Sequence, residues 1–355
     1  MDFTPTEEQQ FLVQEATQFL ADAWPVDQRR RMLGPEAAEA AATLWTRMTE
    51  LGWPGLRAPE AADGLDATVF EAALLAESMG RRLIPGDFFA SAVLAVEALR
   101  LFAPDSSLLP SIASGEARAT TAVWESGAGY ELAVQDGRIA KTRVESAVGA
   151  DLILALVRTS DQEIRLVRAV EPEVAPQPVL DATRPTASVS FDVSSAETLG
   201  VGDAQTFQTF TDLATVFLAA EMTGVAQEAL DDTVAYVRER KQFGTPVGAF
   251  QAVQHRAAEM LGAIEKSRSA VQHAALVADE APAELPRAAS AAKVCANQAA
   301  VFCAEQAIQL HGGIGFTWEQ DVHLYLKRAK AAEVTLGDNA FHLDRIARSL
   351  GLDAA

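Results

Sequence analysis

The feature that most limits what this chain can fold into is a change of apolar period, made twice. Up to about residue 117, apolar side chains recur at three- and four-residue steps, as on a helix with one buried face. Thr6 stands three residues before Gln9, the spacing of a capping box, and Phe11, Leu12, Phe19 and Leu20 follow. Further helices are predicted over 35–51, closed by Gly52, over 67–79, closed by Gly80, and over 88–102, between Pro85-Gly86 and Pro104. From about 118 to 200 the pattern shortens. Runs rich in Val, Ile and Thr cover 120–124, 153–157, 164–167 and 187–193, with turns such as Asp136-Gly137 between them. These read as short antiparallel strands. From Asp203 on, long Ala-rich helical periods return, broken near 244–248, 280–286 and 312–315. Helices, then strands, then helices make an α+β chain, mostly α, with a β unit between two helical units. The expected divisions are 1–117, 118–202 and 203–355.

Charge excludes some roles. The chain has 29 basic and 49 acidic residues among 355, a net charge of -20. A nucleic-acid binder needs a basic face to displace phosphate counterions, and docking on anionic lipid needs a polybasic patch. No apolar run approaches the ~20 residues that cross a bilayer. The start, Met1-Asp2-Phe3-Thr4-Pro5, lacks the positive charge and apolar core of a leader, so the expected location is the cytoplasm. Cys295 and Cys303 are the two cysteines and read as small buried thiols rather than a disulfide or metal framework. The five histidines are too dispersed to suggest a metal site.

Three stretches carry chemistry. Arg238-Glu239-Arg240-Lys241-Gln242-Phe243-Gly244 ends a helix in a cationic turn. The helix dipole alone favours cations there, but an Arg can also reach a phosphate while Phe243 packs on an aromatic ring. Gln309-Leu310-His311-Gly312-Gly313-Ile314-Gly315 lets backbone approach a ligand closely. It follows no strand, so it is no dinucleotide fingerprint. Thr121 to Gly129 runs from a strand into a Gly-rich turn whose amides could meet a carbonyl-rich or anionic group, although a plain hairpin would look similar.

Taken in order, these stretches resemble the acyl-CoA dehydrogenase family over nearly the whole chain. Leu51-Gly52-Trp53, Ala58-Pro59-Glu60 and Glu77-Ser78-Met79-Gly80-Arg81 are similar to its N-terminal helical domain. Asp181-Ala182-Thr183-Arg184 and Val189-Ser190-Phe191-Asp192 are similar to the end of its β domain. Arg240 to Gly244 with Phe250 to His255 is similar to its helical hairpin. The resemblance implies an N-terminal helical domain, a central β-sandwich and a C-terminal four-helix bundle. It implies FAD held without a covalent bond, in a tetramer or other oligomer, with part of each site from a neighbouring subunit. Arg240, Gln242, Phe243 and Gln251 would contact the partner's FAD, and Gln309, Gly312 and Gly313 its nucleotide half. Val123, Glu125 and Ser126 would lie by the flavin ring. Family members often carry Thr where Glu125 stands, and the family's Trp-Ile-Thr strand aligns near Arg143-Val144-Glu145.

The implied reaction is α,β-desaturation of an acyl-CoA: a carboxylate removes the α proton while hydride leaves the β carbon for the flavin. The base needs a dry pocket that raises its pKa, and the enolate needs hydrogen-bond donors. Leu336 takes the family's usual Glu position, and a second family position falls near Ala214. The substitutes are Asp338, two residues beyond Leu336, and Glu221, about two helical turns beyond Ala214. Each also reads as a cap or ion-pair member, and a third option is that this chain holds no base. The chain is similar to shorter subunits of heteromeric dehydrogenases that act on bacterial steroid side chains, where one subunit can lack the base. The partners so implied are an acyl-CoA, an electron-transfer flavoprotein, and either identical copies or a related dehydrogenase subunit. Alternative readings are a non-catalytic subunit completing a relative's FAD site, and a flavin oxidase or monooxygenase on the same scaffold.

Overall fold

The computed structural model describes residues 3–123 and 132–352. In chain order, α1 (Glu7–Ala23), α2 (Val26–Arg31), α3 (Ala37–Glu50) and α4 (Val69–Arg81) come first. A π-helical segment (Phe88–Ala95) then runs into α5 (Val96–Phe102), and α6 (Leu109–Ala113) follows. Among the described residues seven strands come next: β1 (Ala119–Ala122), β2 (Arg138–Glu145), β3 (Leu152–Ser160), β4 (Glu163–Arg168), β5 (Glu173–Gln177), β6 (Thr186–Asp192) and β7 (Glu197–Gly202). The C-terminal part holds α7 (Ala204–Glu239), the small hairpin β8 (Lys241–Gln242) and β9 (Thr245–Pro246), α8 (Gln251–Glu280), α9 (Leu285–His311), α10 (Val322–Glu333) and α11 (Asn339–Ser349). This is the expected α+β fold with a central sandwich and a C-terminal helical bundle. No described helix is long and apolar enough to cross a membrane.

The chain forms two compact units. One joins Met1–Asp22 and Val69–Ile84 to Thr215–Ala355; the other combines Ala23–Thr68 with Pro85–Ala214. In the first, the capping box predicted for α1 is present: Gln9 N donates to Thr6 Oγ1 at 3.2 Å and Thr6 N to Gln9 Oε1 at 3.0 Å. Gly80 does not close α4, which runs on to Arg81. Its role is contact. A Cβ at Gly80 would stand 1.9 Å from Glu221 O, and one at Gly224 1.9 Å from Glu77 O, so the backbones of α4 and α7 touch through paired glycines. The start of α4 is capped from afar: Asp279 of α8 accepts from Val69 N at 3.1 Å and Phe70 N at 3.2 Å. Small buried residues such as Ala289, Ala292, Ala296 and Ala300 give α9 its buried face, and α9 packs on α8, α10 and α11. Cys303 is buried, but Cys295 is only half-buried, because it falls off that inward face.

In the second unit the strands form two sheets, ordered β1-β3-β4-β7 and β2-β6-β5. The alternation in β6 puts Ala187, Val189 and Phe191 into the core with Ile139, Val144, Ala155, Val157 and Val167. One expectation needs correcting: β1 and β3 pair in parallel, since the intervening β2 lies in the other sheet. The other ladders are antiparallel.

Candidate cofactor and active site

The cationic end of α7 is a surface feature. Arg238, Arg240 and Lys241 are exposed, as is Gln251 at the start of α8. The hairpin pairs Lys241 with Pro246 and Gln242 with Thr245, leaving Phe243 and Gly244 as its two-residue turn. Both have positive φ, +53° and +82°. This turn geometry favours Asn-Gly; a bulky side chain at the first position costs about 1–2 kcal/mol. Yet Phe243 is 94% exposed, touching Phe250 edge-on at 6.3 Å between ring centroids. A strained, exposed Phe gives the isolated fold little.

The second stretch lies beside the first. The His311 ring, at the end of α9, stacks on Tyr236 of α7 at 4.3 Å, and Tyr236 Oη donates to His311 O at 3.3 Å. Tyr236 is one helical turn before Arg240, so the stack puts the ends of α7 and α9 side by side. Nδ1 of His311 is 2.7 Å from Ala307 O and therefore carries the hydrogen; burial lowers the ring's pKa. Beyond it, Gly312 adopts φ +66° and ψ -142°, which only glycine takes without strain. Gln309, Gly312 and Gly313 are exposed, and nothing lies within 4 Å of where a Cβ would sit at either glycine. The surface thus offers a guanidinium, open backbone and an exposed ring together, which suits a nucleotide's phosphates and base. Tyr236 was not singled out in the sequence because its role comes from a neighbour 75 residues away.

The acidic candidates are already committed. Glu221 is buried, with Oε1 2.6 Å from Nη1 of the equally buried Arg328, whose Nη2 donates to Ile84 O at 3.1 Å. Such a pair holds its carboxylate in place rather than freeing it to accept a substrate proton. Asp338 is exposed and N-caps α11, accepting from Phe341 N at 2.9 Å. Leu336 is 2% exposed, and Ala214 is fully buried. Leu336 has φ +61° and Gly337 has φ +105°. The Leu336 carbonyl accepts from Nε2 of buried His342 at 3.0 Å, while Nδ1 faces Ser290 Oγ at 3.2 Å. Burial first, then the charges of Lys293 and Arg345, push the His342 pKa down to about 3, so it is a neutral structural histidine. His323 lies edge-on to Trp318 at 4.6 Å.

In the sandwich unit, Val123 is buried just past β1, while Glu125 and Ser126 lie outside the described residues. Lys141 is buried, and its Nζ donates to Val123 O at 3.4 Å. Arg143 sits exposed at a bulge of β2 with φ +51°. Glu145 pairs with Arg184 at 3.4 Å, and Arg184 also covers the Phe89 ring at 5.2 Å.

Known proteins share the family and the fold. The chain matches the models of the acyl-CoA dehydrogenase N-terminal domain over residues 6–116 and C-terminal domain over 205–351. It is 32% identical over 328 residues to the acyl-CoA dehydrogenase IpdE2 of Mycobacterium tuberculosis, covering 92% of both chains. Among solved structures it resembles the Tcur3481-Tcur3483 steroid ACAD (G363A variant), with 27% identity, TM-score 0.87, and 98% of this chain and 99% of the other covered. It also resembles the ChsE4-ChsE5 complex of M. tuberculosis, at 26% identity and TM-score 0.87 over the full length of both. The chain belongs to the acyl-CoA dehydrogenase family. It is an oxidoreductase chain for FAD-dependent α,β-dehydrogenation of an acyl-CoA, as a homo-oligomer or as one subunit of a hetero-oligomer.

Proposed function

We propose that this chain works with a related dehydrogenase subunit, supplying half of a shared FAD site while the partner supplies the base. The observation that carries this is the state of the acids: Glu221 is locked to Arg328, Asp338 caps α11, and Leu336 is apolar. Arg240 would meet the pyrophosphate of the partner's FAD. Gln242, Phe243 and Gln251 would bear on the same cofactor, and Gln309 with the open backbone of Gly312 and Gly313 on its nucleotide half. Bound there, FAD supplies the acceptor for the hydride from the substrate's β carbon. The chain's own contribution is to bind, orient and exclude water; Val123, Glu125 and Ser126 would flank the ring.

Likeness to the steroid ACAD and the ChsE4-ChsE5 complex supports a steroid-derived acyl-CoA as substrate and a hetero-oligomer as the working form. Electrons would pass to an electron-transfer flavoprotein in the cytoplasm.

The test is flavin content and anaerobic bleaching by acyl-CoA, for the chain alone and purified with a related subunit. The expected result is bleaching only in the complex, loss of flavin on Arg240→Ala, and a rate within about threefold on Asp338→Asn. Bleaching of the chain alone, abolished by Asp338→Asn, would show that the base is in this chain.

A further inference from the structure

The turn that follows α9 holds two large rings out in solvent. Phe316 is 77% exposed and Trp318 66%. With Phe243 they are the three most exposed aromatic side chains among the described residues. Each leaves in water an apolar area that a core would normally cover. All three stand at one end of the bundle unit. Phe243 sits in the hairpin after α7, and the other two follow the end of α9. The Tyr236–His311 stack at 4.3 Å holds those two helix ends together. The turn is also stiff. Thr317 N and Oγ1 both donate to Ile314 O, at 3.0 and 2.9 Å. Gly315 lies against α9, where a Cβ would stand 2.8 Å from Ile308 O. Trp318 is braced from α10: Lys327 Nζ lies 4.4 Å from its ring centroid, and the His323 ring is edge-on at 4.6 Å. A mobile ring would lose conformational freedom on docking; one held this way has already lost it.

We propose that Phe316 and Trp318 form a rigid knob on which a second subunit of the same dehydrogenase fold docks, beside the surface where α7 and α9 end. The proposal rests on the reading of that surface as one shared between subunits. A chain that works as a homo-oligomer or within a hetero-oligomer has a face that another subunit covers. A stable face of this kind buries roughly 800 Å² on each side. Its centre is enriched in Trp, Phe and Arg anchors. This end of the bundle unit supplies all three: the rings of Phe243, Phe316 and Trp318, and the exposed guanidiniums of Arg238 and Arg240. Neither guanidinium forms an ion pair among the described residues, in a chain of net charge -20. Phe316 and Trp318 lie beyond Gly313, the last residue of the stretch assigned to the nucleotide. Their part is to meet the other subunit's protein surface rather than the cofactor. The docking does not depend on which subunit holds the base.

The experiment is sedimentation of the FAD-loaded oligomer over a dilution series, in wild type, in Phe316→Ser combined with Trp318→Ser, and in Arg240→Ala. The expected result is a subunit dissociation constant raised at least about hundredfold in the double variant, while the separated chain keeps its melting temperature. A wild-type dissociation constant in the double variant overturns the proposal. So does an intact oligomer that has lost its flavin, which would assign the rings to the nucleotide. Arg240→Ala separates the two readings: if it keeps its flavin while the double variant falls apart, the shared cofactor site fails and the knob stands. If the double variant does not fold, hydroxyl-radical labelling of Phe316 and Trp318 in wild type decides. Labelling that falls from the dissociated chain to the oligomer supports the docking; equal labelling in both rejects it.

Discussion

Two turns in the bundle unit use the same backbone device for opposite ends. Phe243-Gly244 and Leu336-Gly337 each place a large apolar residue and then a glycine at positive φ. Phe243 is 94% exposed and Leu336 2%. The exposed turn is closed by its own short hairpin, and a Cβ at Gly244 would meet nothing within 4 Å. The buried turn is held by His342 on the Leu336 carbonyl and by Lys293 and Asn297 on the carbonyls just before it. Strain of this kind persists where the surroundings over-determine it or where it presents a side chain to something outside. The difference teaches that the same left-handed pair presents a side chain to solvent in one place and locks a buried turn in the other.

Acid should break the buried turn first. His342 has its pKa lowered to about 3 in the fold, against about 6.5 in an unfolded chain. The unfolded state therefore binds more protons between those values, and stability falls as pH drops from about 6.5 toward 3. The expected loss is on the order of 4 kcal/mol, and His342→Gln should flatten that limb in urea melts at stepped pH. Next come the glycines. A Cβ at Gly337 would lie 2.4 Å from Phe341 Cδ1 and 3.0 Å from His342 Nε2. Gly337→Ala should cost about 3 kcal/mol, whereas Gly244→Ala should cost only the backbone term of about 1 kcal/mol; equal losses would erase the distinction. Leu336→Ala removes a buried side chain and is expected to cost about 2–3 kcal/mol by thermal melting. Phe243→Ala should leave the melting temperature nearly unchanged while weakening flavin retention or subunit assembly about tenfold, read by gel filtration and flavin absorbance.

Much of this layout is legible along the chain because it rests on local rules. Thr6 and Gln9 cap each other within one turn, Gly52 ends α3, and the period change at residue 118 marks the sandwich. Arg240 to Gly244 and Gln309 to Gly313 stand out as cationic and Gly-rich stretches, and both come to lie at exposed helix ends. Strand pairing was less legible, since a parallel β1–β3 ladder depends on which sheet β2 joins. The acids show the same limit. Glu221 in an apolar helix reads both as a candidate base and as an ion-pair member, and its partner Arg328 lies 107 residues on.

By itself the sequence determined the order of a helical, a strand and a second helical region, the Thr6–Gln9 cap, and the residues that form the exposed cationic and Gly-rich stretches. These depend on side chains within a few positions of one another. Only the tertiary structure decided that Gly80 is a crossing contact rather than a helix end. It alone set Asp279 at the head of α4 and closed Lys293 over the end of α10. Each of those roles is assigned by backbone groups far away in the chain, whose unmet hydrogen bonds or close approach exist only once the helices pack.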